Sequence, residues 1–355
     1  MVQAASDICG VHAQVGASAE IMLGLRVSGI TRDDVREALW RRRTLVKTIG
    51  VRGTLHLLPA DEVSTWMAAN RLRFEPERQR LARLGMDVKN LDRLVAAISE
   101  VVGPEPIDRL ELERQLEARV GPWATTRNQG WAGSYPNWPL ALGWAAALGR
   151  VCYGPGEGGR ATFVRLADWS GWRDEDPSAA GLFALRRFLH AYGPATVAEF
   201  ARWFALDHPA AVRLFGEVPS DLAEVDVDGE RRWMLAADAK RAATAHPEAV
   251  QLLPHFDVFV VGSHPRDRLI PRDSPLAATK LGTAAPFAVL LVGGRITGVW
   301  ERKPKGSKLH IRVGAHVPLK RSQKEAVAEQ AERVAQIVGL TCELEFGEVS
   351  LRQHL

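Results

Sequence analysis

Three times along this chain, helical periodicity gives way to a pair of short β-rich runs joined by a glycine-bearing turn, and that recurrence constrains the fold more than any other feature. Residues 3–13, 18–28 and 32–40 predict helices, the last with Thr31 as its N-cap. Thr44 to Ile49 and Thr54 to Leu58 then read as strands of a hairpin turning across Gly50 to Gly53. The order returns with helices over 89–101, 108–119 and 138–148, followed by β-rich runs at 150–153 and 161–165 around a glycine-rich turn, Gly154 to Gly159. It returns again with helices over 180–190, 197–205 and 208–215, then Leu222 to Val227 and Arg231 to Leu235 about Asp228-Gly229. Asp-Gly tolerates the positive φ that a tight hairpin turn needs, so this hairpin carries the plainest signal. Helix, helix, helix, hairpin is the order of a winged helix; the repeats share that order and not their residues.

From about Gln251 the chain turns β-rich. Val258 to Val261, Phe287 to Val292, Ile296 to Trp300 and Leu309 to Val313 predict strands, and 322–338 a last helix. The expected fold is α+β, with three tandem winged-helix units in a C-shaped arrangement and a C-terminal β-rich region. The boundaries that follow are 1–88, 89–172, 173–245 and 246–355, with linkers near 103–107, 172–178 and 242–249.

Hydrophobic residues make up 46% of the 355, which argues for a folded chain over a disordered one. No run approaches the roughly 20 apolar residues of a membrane span, and the N-terminus lacks the basic and apolar regions of a secretion signal, so the expected location is cytoplasmic. Cys9, Cys152 and Cys342 have no zinc-ligand spacing and read as reduced, buried thiols; neither metal nor cofactor is expected.

Net charge is only +4, and its distribution says more. There are 37 arginines to nine lysines; the planar arginine fork suits phosphate, although a GC-rich genome produces the same bias. Arg302, Lys303, Lys305, Lys308, His310 and Arg312 cluster around Pro304 and Gly306 at the tip of an expected hairpin, either to grip a DNA groove or phosphate or as a solvated loop. Arg41, Arg42, Arg43, Lys47 and Arg52 surround the first hairpin and are candidate backbone contacts. Six of the eleven tryptophans lie between Trp123 and Trp172; core packing accounts for most of them, with stacking on a base or drug ring as the alternative.

Several segments, in order along nearly the whole chain, resemble one family, the AlkZ/YcaQ-like winged-helix DNA glycosylases. They are Arg43 to Thr48 with Arg52 to Leu57 (RTLVKT and RGTLHL), Ala191 to Thr196 (AYGPAT), Leu252 to Asp257 (LLPHFD) and Gly294 to Trp300 (GRITGVW). The resemblance implies hydrolysis of the N-glycosidic bond of alkylated purines along a concave basic channel. It also implies a longer leader than the one before Ser6. The family's catalytic signature is Gln-x-Gln; the matching positions here are His12-Ala13-Gln14, so a histidine replaces the first glutamine. That variant resembles enzymes linked to bulky, DNA-intercalating guanine alkylators.

The chemistry suits these residues. A guanine alkylated at N7 already carries positive charge and leaves as a neutral base, so no strong general acid is required. What remains is to place a water below C1′ and relieve it of a proton. Gln14 accepts one hydrogen bond from that water, and His12, with an imidazole pKa ordinarily near ~6.5, takes the proton. Asp61 is the rival carboxylate, although a helix N-cap is its simpler reading; His56 reads as a wing or core histidine, and Asp257 as a channel residue or a buried turn. The expected function is a monofunctional DNA glycosylase acting on bulky N7-alkylguanine in double-stranded DNA, as a monomer, in genotoxin self-resistance or base excision repair. The competing reading is a non-enzymatic winged-helix regulator or lesion sensor, which ordinarily carries one such unit per subunit. A nuclease would need a carboxylate cluster for metal, and a lyase an activated amine; Lys47 is the only lysine near the motif.

Overall fold

A computed structural model describes residues 1–83, 87–130, 133–156, 160–240, 248–265, 268–271, 274, 276 and 287–349. The chain divides into two compact units: residues 2–10 with 37–239, and Met1 with residues 11–36 and 240–355. These units cut across the boundaries expected from the sequence, because the His12 segment groups with the C-terminal region and not with the first hairpin.

The larger unit holds all three hairpins and the helices of the second and third sets, whereas helix Gly16–Arg26 and the start of Arg32–Trp40, from the first set, belong to the smaller unit. Leu45–Ile49 pairs antiparallel with Leu55–Pro59, with Thr48 opposite His56. The connection is a single 3-10 turn, Val51–Gly53, whose last two residues have positive φ (Arg52 58°, Gly53 70°). The second set uses Val88–Val101, capped by the Asp87 carboxylate, and Arg109–Val120, capped by Asp108. Its strands, Cys152–Gly154 and Thr162–Val164, pair with each other, and Thr162–Val164 pairs on its other side with a short third strand at Ile107–Asp108; part of the expected glycine-rich turn between them, 157–159, lies outside the described residues. In the third set, Thr196 and Glu199 close a reciprocal capping box at the start of Val197–Phe204. Leu222–Val227 and Glu230–Leu235 then pair through Asp228 (φ 55°) and Gly229 (φ 80°), the turn that Asp-Gly predicts. Helices Val63–Asn70 and Phe74–Arg83 and the hairpin Arg127–Gly130/Gly133–Pro136 were not anticipated. One apolar core runs through this unit, with Trp66, Trp138, Phe163, Phe188, Phe200 and Phe204 fully buried. At about 25 cal/mol per Å² of apolar surface removed from water, such aromatic side chains dominate its stability.

The smaller unit is built on a five-stranded sheet in the order Val250–Leu253, Val289–Val292, Arg295–Lys305, Lys308–Ala315 and Thr341–Phe346. The last strand is parallel to its neighbour, which requires a crossover, and helix Arg321–Ile337 supplies it. One sheet face (Leu252, Leu290, Trp300, Leu309, Ile311, Val313) packs on Val327, Ala331 and Val334 of that helix and on Ile21 of helix Gly16–Arg26. The two helices meet closely: a Cβ on Gly24 would lie 2.5 Å from Ile337 Cγ1. Arg333 donates to the carbonyls of Gly24, Val27 and Ile30 at 2.9–3.0 Å, satisfying groups the ending helix leaves open. On the opposite sheet face, Leu253, Phe256, Val260, Val261 and Leu291 form a second cluster.

Two expectations are corrected. The first helix stops at Asp7, because Cys9 (φ 61°) and Gly10 (φ 87°) turn the chain, and His12 lies in an extended pair, Val11–His12. Val258 to Val261 is helix and not strand: Val258–Gly262 starts at Asp257, whose carboxylate accepts from Phe259 N at 2.9 Å, so the cap overrides the β-branched run.

Candidate active site and nucleic-acid interface

The smaller unit brings His12 together with residues far along the chain. His12 is 6% exposed, and its ring stacks on Phe256 with centroids 5.3 Å apart and planes at 23°. Two residues on, the chain surfaces: Gln14 is exposed in the turn before helix Gly16–Arg26. Phe256 is the third residue of a turn, Pro254 to Asp257, closed by Asp257 N donating to the Pro254 carbonyl at 3.2 Å. Its φ is +59°, at the turn position for which glycine is the usual choice. A bulky residue held in the left-handed region costs on the order of 1–3 kcal/mol, which the surroundings must offset.

The offset comes from the next residue. Asp257 has a fully buried side chain that receives both Arg26 nitrogens, at 2.8 and 2.9 Å, while it caps the helix after it. Arg26 ends the helix that begins just after Gln14, so one bidentate pair ties the His12 segment to the Phe256 turn. Asp257 thus satisfies a buried turn and is a structural anchor.

A cleft of about 1190 Å³ opens beside this arrangement, lined by Val15, Ser18, His255 and the basic hairpin. Across that hairpin Glu301 stands opposite Arg312, Lys303 opposite His310 and Lys305 opposite Lys308, so these side chains share one sheet face. The parallel last strand adds Glu343 beside His310 and Glu345 beside Arg312. Acidic neighbours take up part of the charge that the sequence suggested: Lys308 lies 3.2 Å and His310 3.5 Å from Glu343, and Arg312 lies 3.5 Å from Glu301 and 3.1 Å from Glu345. Among the described residues no ion pair engages Lys303 or Lys305. Arg302 alternates to the other side, where burial pulls its pKa down and Glu20 partly restores it.

The cations of the first hairpin belong to the larger unit, not to the unit of His12 as expected. Arg43 stacks on Trp169 at 3.8 Å, and Lys47 Nζ lies 5.5 Å from the centre of the Tyr153 ring. Arg42 pairs with Glu37 at 3.4 Å, and burial lowers the pKa of Arg52. His56 is buried with Nδ1 2.9 Å from the Thr54 carbonyl, as a core histidine. Asp61 is exposed in the turn before helix Val63–Asn70, where Glu62 and not Asp61 holds the cap position. Trp138, Trp144 and Trp169 are buried, which fits core packing; Trp131 lies outside the described residues. The three thiols are unbridged, and burial raises the pKa of each. Among the described residues no group of three His, Cys, Asp or Glu stands close enough to hold a metal ion, and no helix is long and apolar enough to cross a membrane. His255 and Phe256 were passed over in the sequence because nothing in Pro254 to Asp257 marks a reversed φ.

Tandem helix–hairpin sets, and a cation-edged cleft in the same unit as His12 and Gln14, fit a protein directed at nucleic acid. The model of the DNA glycosylase AlkZ-like family matches residues 5–337, and the chain belongs to that family. It is 30% identical over 357 residues to the interstrand DNA cross-link repair glycosylase of Streptomyces sahachiroi, an alignment covering 95% of this chain and 91% of the relative. Its structure is similar to that of the Streptomyces sahachiroi DNA glycosylase AlkZ, with a TM-score of 0.78 at 26% identity, covering 97% of this chain and 93% of the other. The protein is a DNA glycosylase, a hydrolase of N-glycosyl bonds.

Proposed function

We propose that this enzyme hydrolyses the N-glycosidic bond of bulky N7-alkylguanine adducts in double-stranded DNA, acting as a monofunctional glycosylase and a monomer, in resistance to an alkylating genotoxin or in base excision repair. The observation that carries the reading is the convergence, in one compact unit, of the His12–Gln14 segment with a wide cleft edged by the cationic hairpin. Gln14, exposed, meets the attacking water and orients it through its side-chain carbonyl. His12 stands two residues behind with only an edge exposed and accepts the proton as the water adds to C1′. The leaving guanine needs no protonation, because loss of the base neutralises its positive charge. A cleft of about 1190 Å³ has room for a large adduct, which supports a bulky lesion over a methyl group. The name of the Streptomyces sahachiroi relative, a cross-link repair glycosylase, agrees with that size. Lys303 and Lys305, with Lys308 and Arg312 on the same sheet face, hold the duplex by its phosphates.

The test is release of alkylated guanine from duplex DNA by wild type, His12→Ala and Gln14→Ala, on N7-methylguanine DNA and on DNA bearing a bulky intercalated N7 adduct. Positioning and base assistance together contribute about 10²–10⁴-fold, and each variant is expected to lose a large part of it while binding duplex normally. Wild-type release by His12→Ala removes the base assignment. No release from either substrate by the wild-type enzyme removes the N7-alkylguanine reading.

A further inference from the structure

We infer that Phe256 is a positioning residue for His12, fixing the plane of the imidazole and stabilising it when it takes up the proton. This rests on the reading of His12 as the base. The observations are geometric. The rings are stacked with centroids 5.3 Å apart and planes at 23°, and both are almost wholly buried, so neither turns freely. Phe256 reaches His12 because its backbone adopts φ +59°, where a glycine would sit without strain. An aromatic side chain kept at such a position marks a place where local preference yields to another requirement. The same turn sends Asp257 into its bidentate pair with Arg26. Since Arg26 terminates the helix that follows Gln14, the pair fixes the distance between the two segments and hence the register of the stack.

The stack also has an electrostatic consequence. The face of a benzene ring is the negative end of its quadrupole, so it attracts a cation above it more than a neutral ring. As the water adds to C1′ it gives up a proton, and His12 changes from imidazole to imidazolium over that face. The Phe256 ring therefore interacts more strongly with the charged product of the proton transfer than with the resting base, and differential binding of this kind lowers a barrier. No bond to Phe256 forms or breaks.

The experiment is single-turnover release of a bulky N7-alkylguanine by Phe256→Leu, Phe256→Tyr, His12→Ala and the double variant His12→Ala/Phe256→Leu, with duplex affinity and thermal stability measured on each. Phe256→Leu keeps an apolar side chain and removes the ring face; its rate is expected to fall about ten- to thirtyfold, as for loss of a desolvated cation–π contact. Phe256→Tyr is expected to recover most of the rate, and duplex affinity to stay within about threefold throughout, since uniform binding is not what the ring supplies. The double variant is expected to be no slower than His12→Ala, because the ring acts only through His12. Ring-fluorinated phenylalanine at 256, which keeps shape and empties the face of negative charge, is expected to slow release progressively with each fluorine. Phe256→Leu at the wild-type rate, with His12→Ala slow, overturns this inference and leaves the base assignment standing. A rate lost equally from Phe256→Leu and Phe256→Tyr, or effects of His12 and Phe256 that multiply in the double variant, reduce the ring to packing. Wild-type release by His12→Ala overturns both readings.

Discussion

The two compact units use the same device in two settings. In the larger, Glu199 completes the capping box of helix Val197–Phe204 by accepting from Thr196 N, and it receives both Arg232 nitrogens at 2.8 and 2.9 Å, with Arg232 3% exposed. In the smaller, Asp257 caps helix Val258–Gly262 and receives both Arg26 nitrogens at the same distances. Around Arg232 the backbone is at ease: the strand carrying it is fed by Asp228-Gly229, residues suited to the positive φ they adopt. Around Arg26 it is not, because the residue before Asp257 is a phenylalanine in the left-handed region. The Arg232 pair closes a span of 33 residues and the Arg26 pair one of 231. A similar arginine–carboxylate clamp, shared in the larger unit with Glu230, thus serves as scaffold where local chemistry and backbone agree, and holds a strained turn where they do not.

The largest effect is expected from removing one partner of the strained pair. Arg26→Met leaves the fully buried Asp257 carboxylate without its cation, at a cost of about 3–5 kcal/mol of stability. Denaturant unfolding reads that cost. Glycosylase rate per folded molecule, measured well below the transition, is also expected to fall, since the Phe256 turn loses its anchor. An unchanged rate per folded molecule makes the two clamps equivalent and breaks the comparison.

Arg232→Met is the matched control. It is expected to cost roughly 2–4 kcal/mol, less than Arg26→Met because Glu199 retains some exposure and its bond to Thr196 N. Its rate per folded molecule is expected to match the wild type. A slower chemical step at unchanged duplex affinity makes this clamp part of the site as well. Below these stands the relaxed turn itself. Gly229→Ala places a Cβ at φ +80°, into open space, so only the backbone penalty of about 1 kcal/mol is felt. A smaller change in unfolding free energy would show that the turn shifts to accommodate a side chain.

The contrast between the turns also explains which parts were readable in advance. Asp228-Gly229 announced its hairpin because the residues the turn needs are the residues present. The turn at Pro254 to Asp257 announced nothing: its φ reversal falls on phenylalanine, and the following Val-Phe-Val-Val suggested a strand that a capping aspartate converts to helix. The last strand, Thr341–Phe346, is legible in the sequence although it is not among the expected strands: Cys342, Leu344 and Phe346 alternate with Glu343 and Glu345, the period-two pattern of a half-buried strand whose charged residues lie beside the hairpin cations. His12 and Gln14 were visible only through resemblance to a family. By spacing, a histidine and a glutamine flanking an alanine carry almost no information, and their partner Phe256 is brought in by long-range packing that no local pattern encodes.

The smallest effect separates two sets of cations that look alike in the sequence. Arg43 and Lys47 lie over the rings of Trp169 and Tyr153 and bury part of their stems there, so much of their contribution is already made within the larger unit. Lys303 and Lys305 stand on an open sheet face, whereas Lys308 is held 3.2 Å from Glu343. Releasing a condensed counterion from DNA requires a cation that reaches phosphate, and each such contact adds about 0.9 to the slope of log affinity against log salt. Lys303→Gln/Lys305→Gln is therefore expected to reduce that slope by about 1.8 on undamaged duplex, and Lys308→Gln by clearly less, because its loss also frees Glu343. Lys47→Gln is expected to change the slope least and to register in thermal stability through its lost contact with Tyr153. A slope that falls equally for Lys47 and Lys303 would mean that the aromatic contacts give way when DNA binds, and the distinction between scaffold cations and DNA cations would then have to be drawn in the complex.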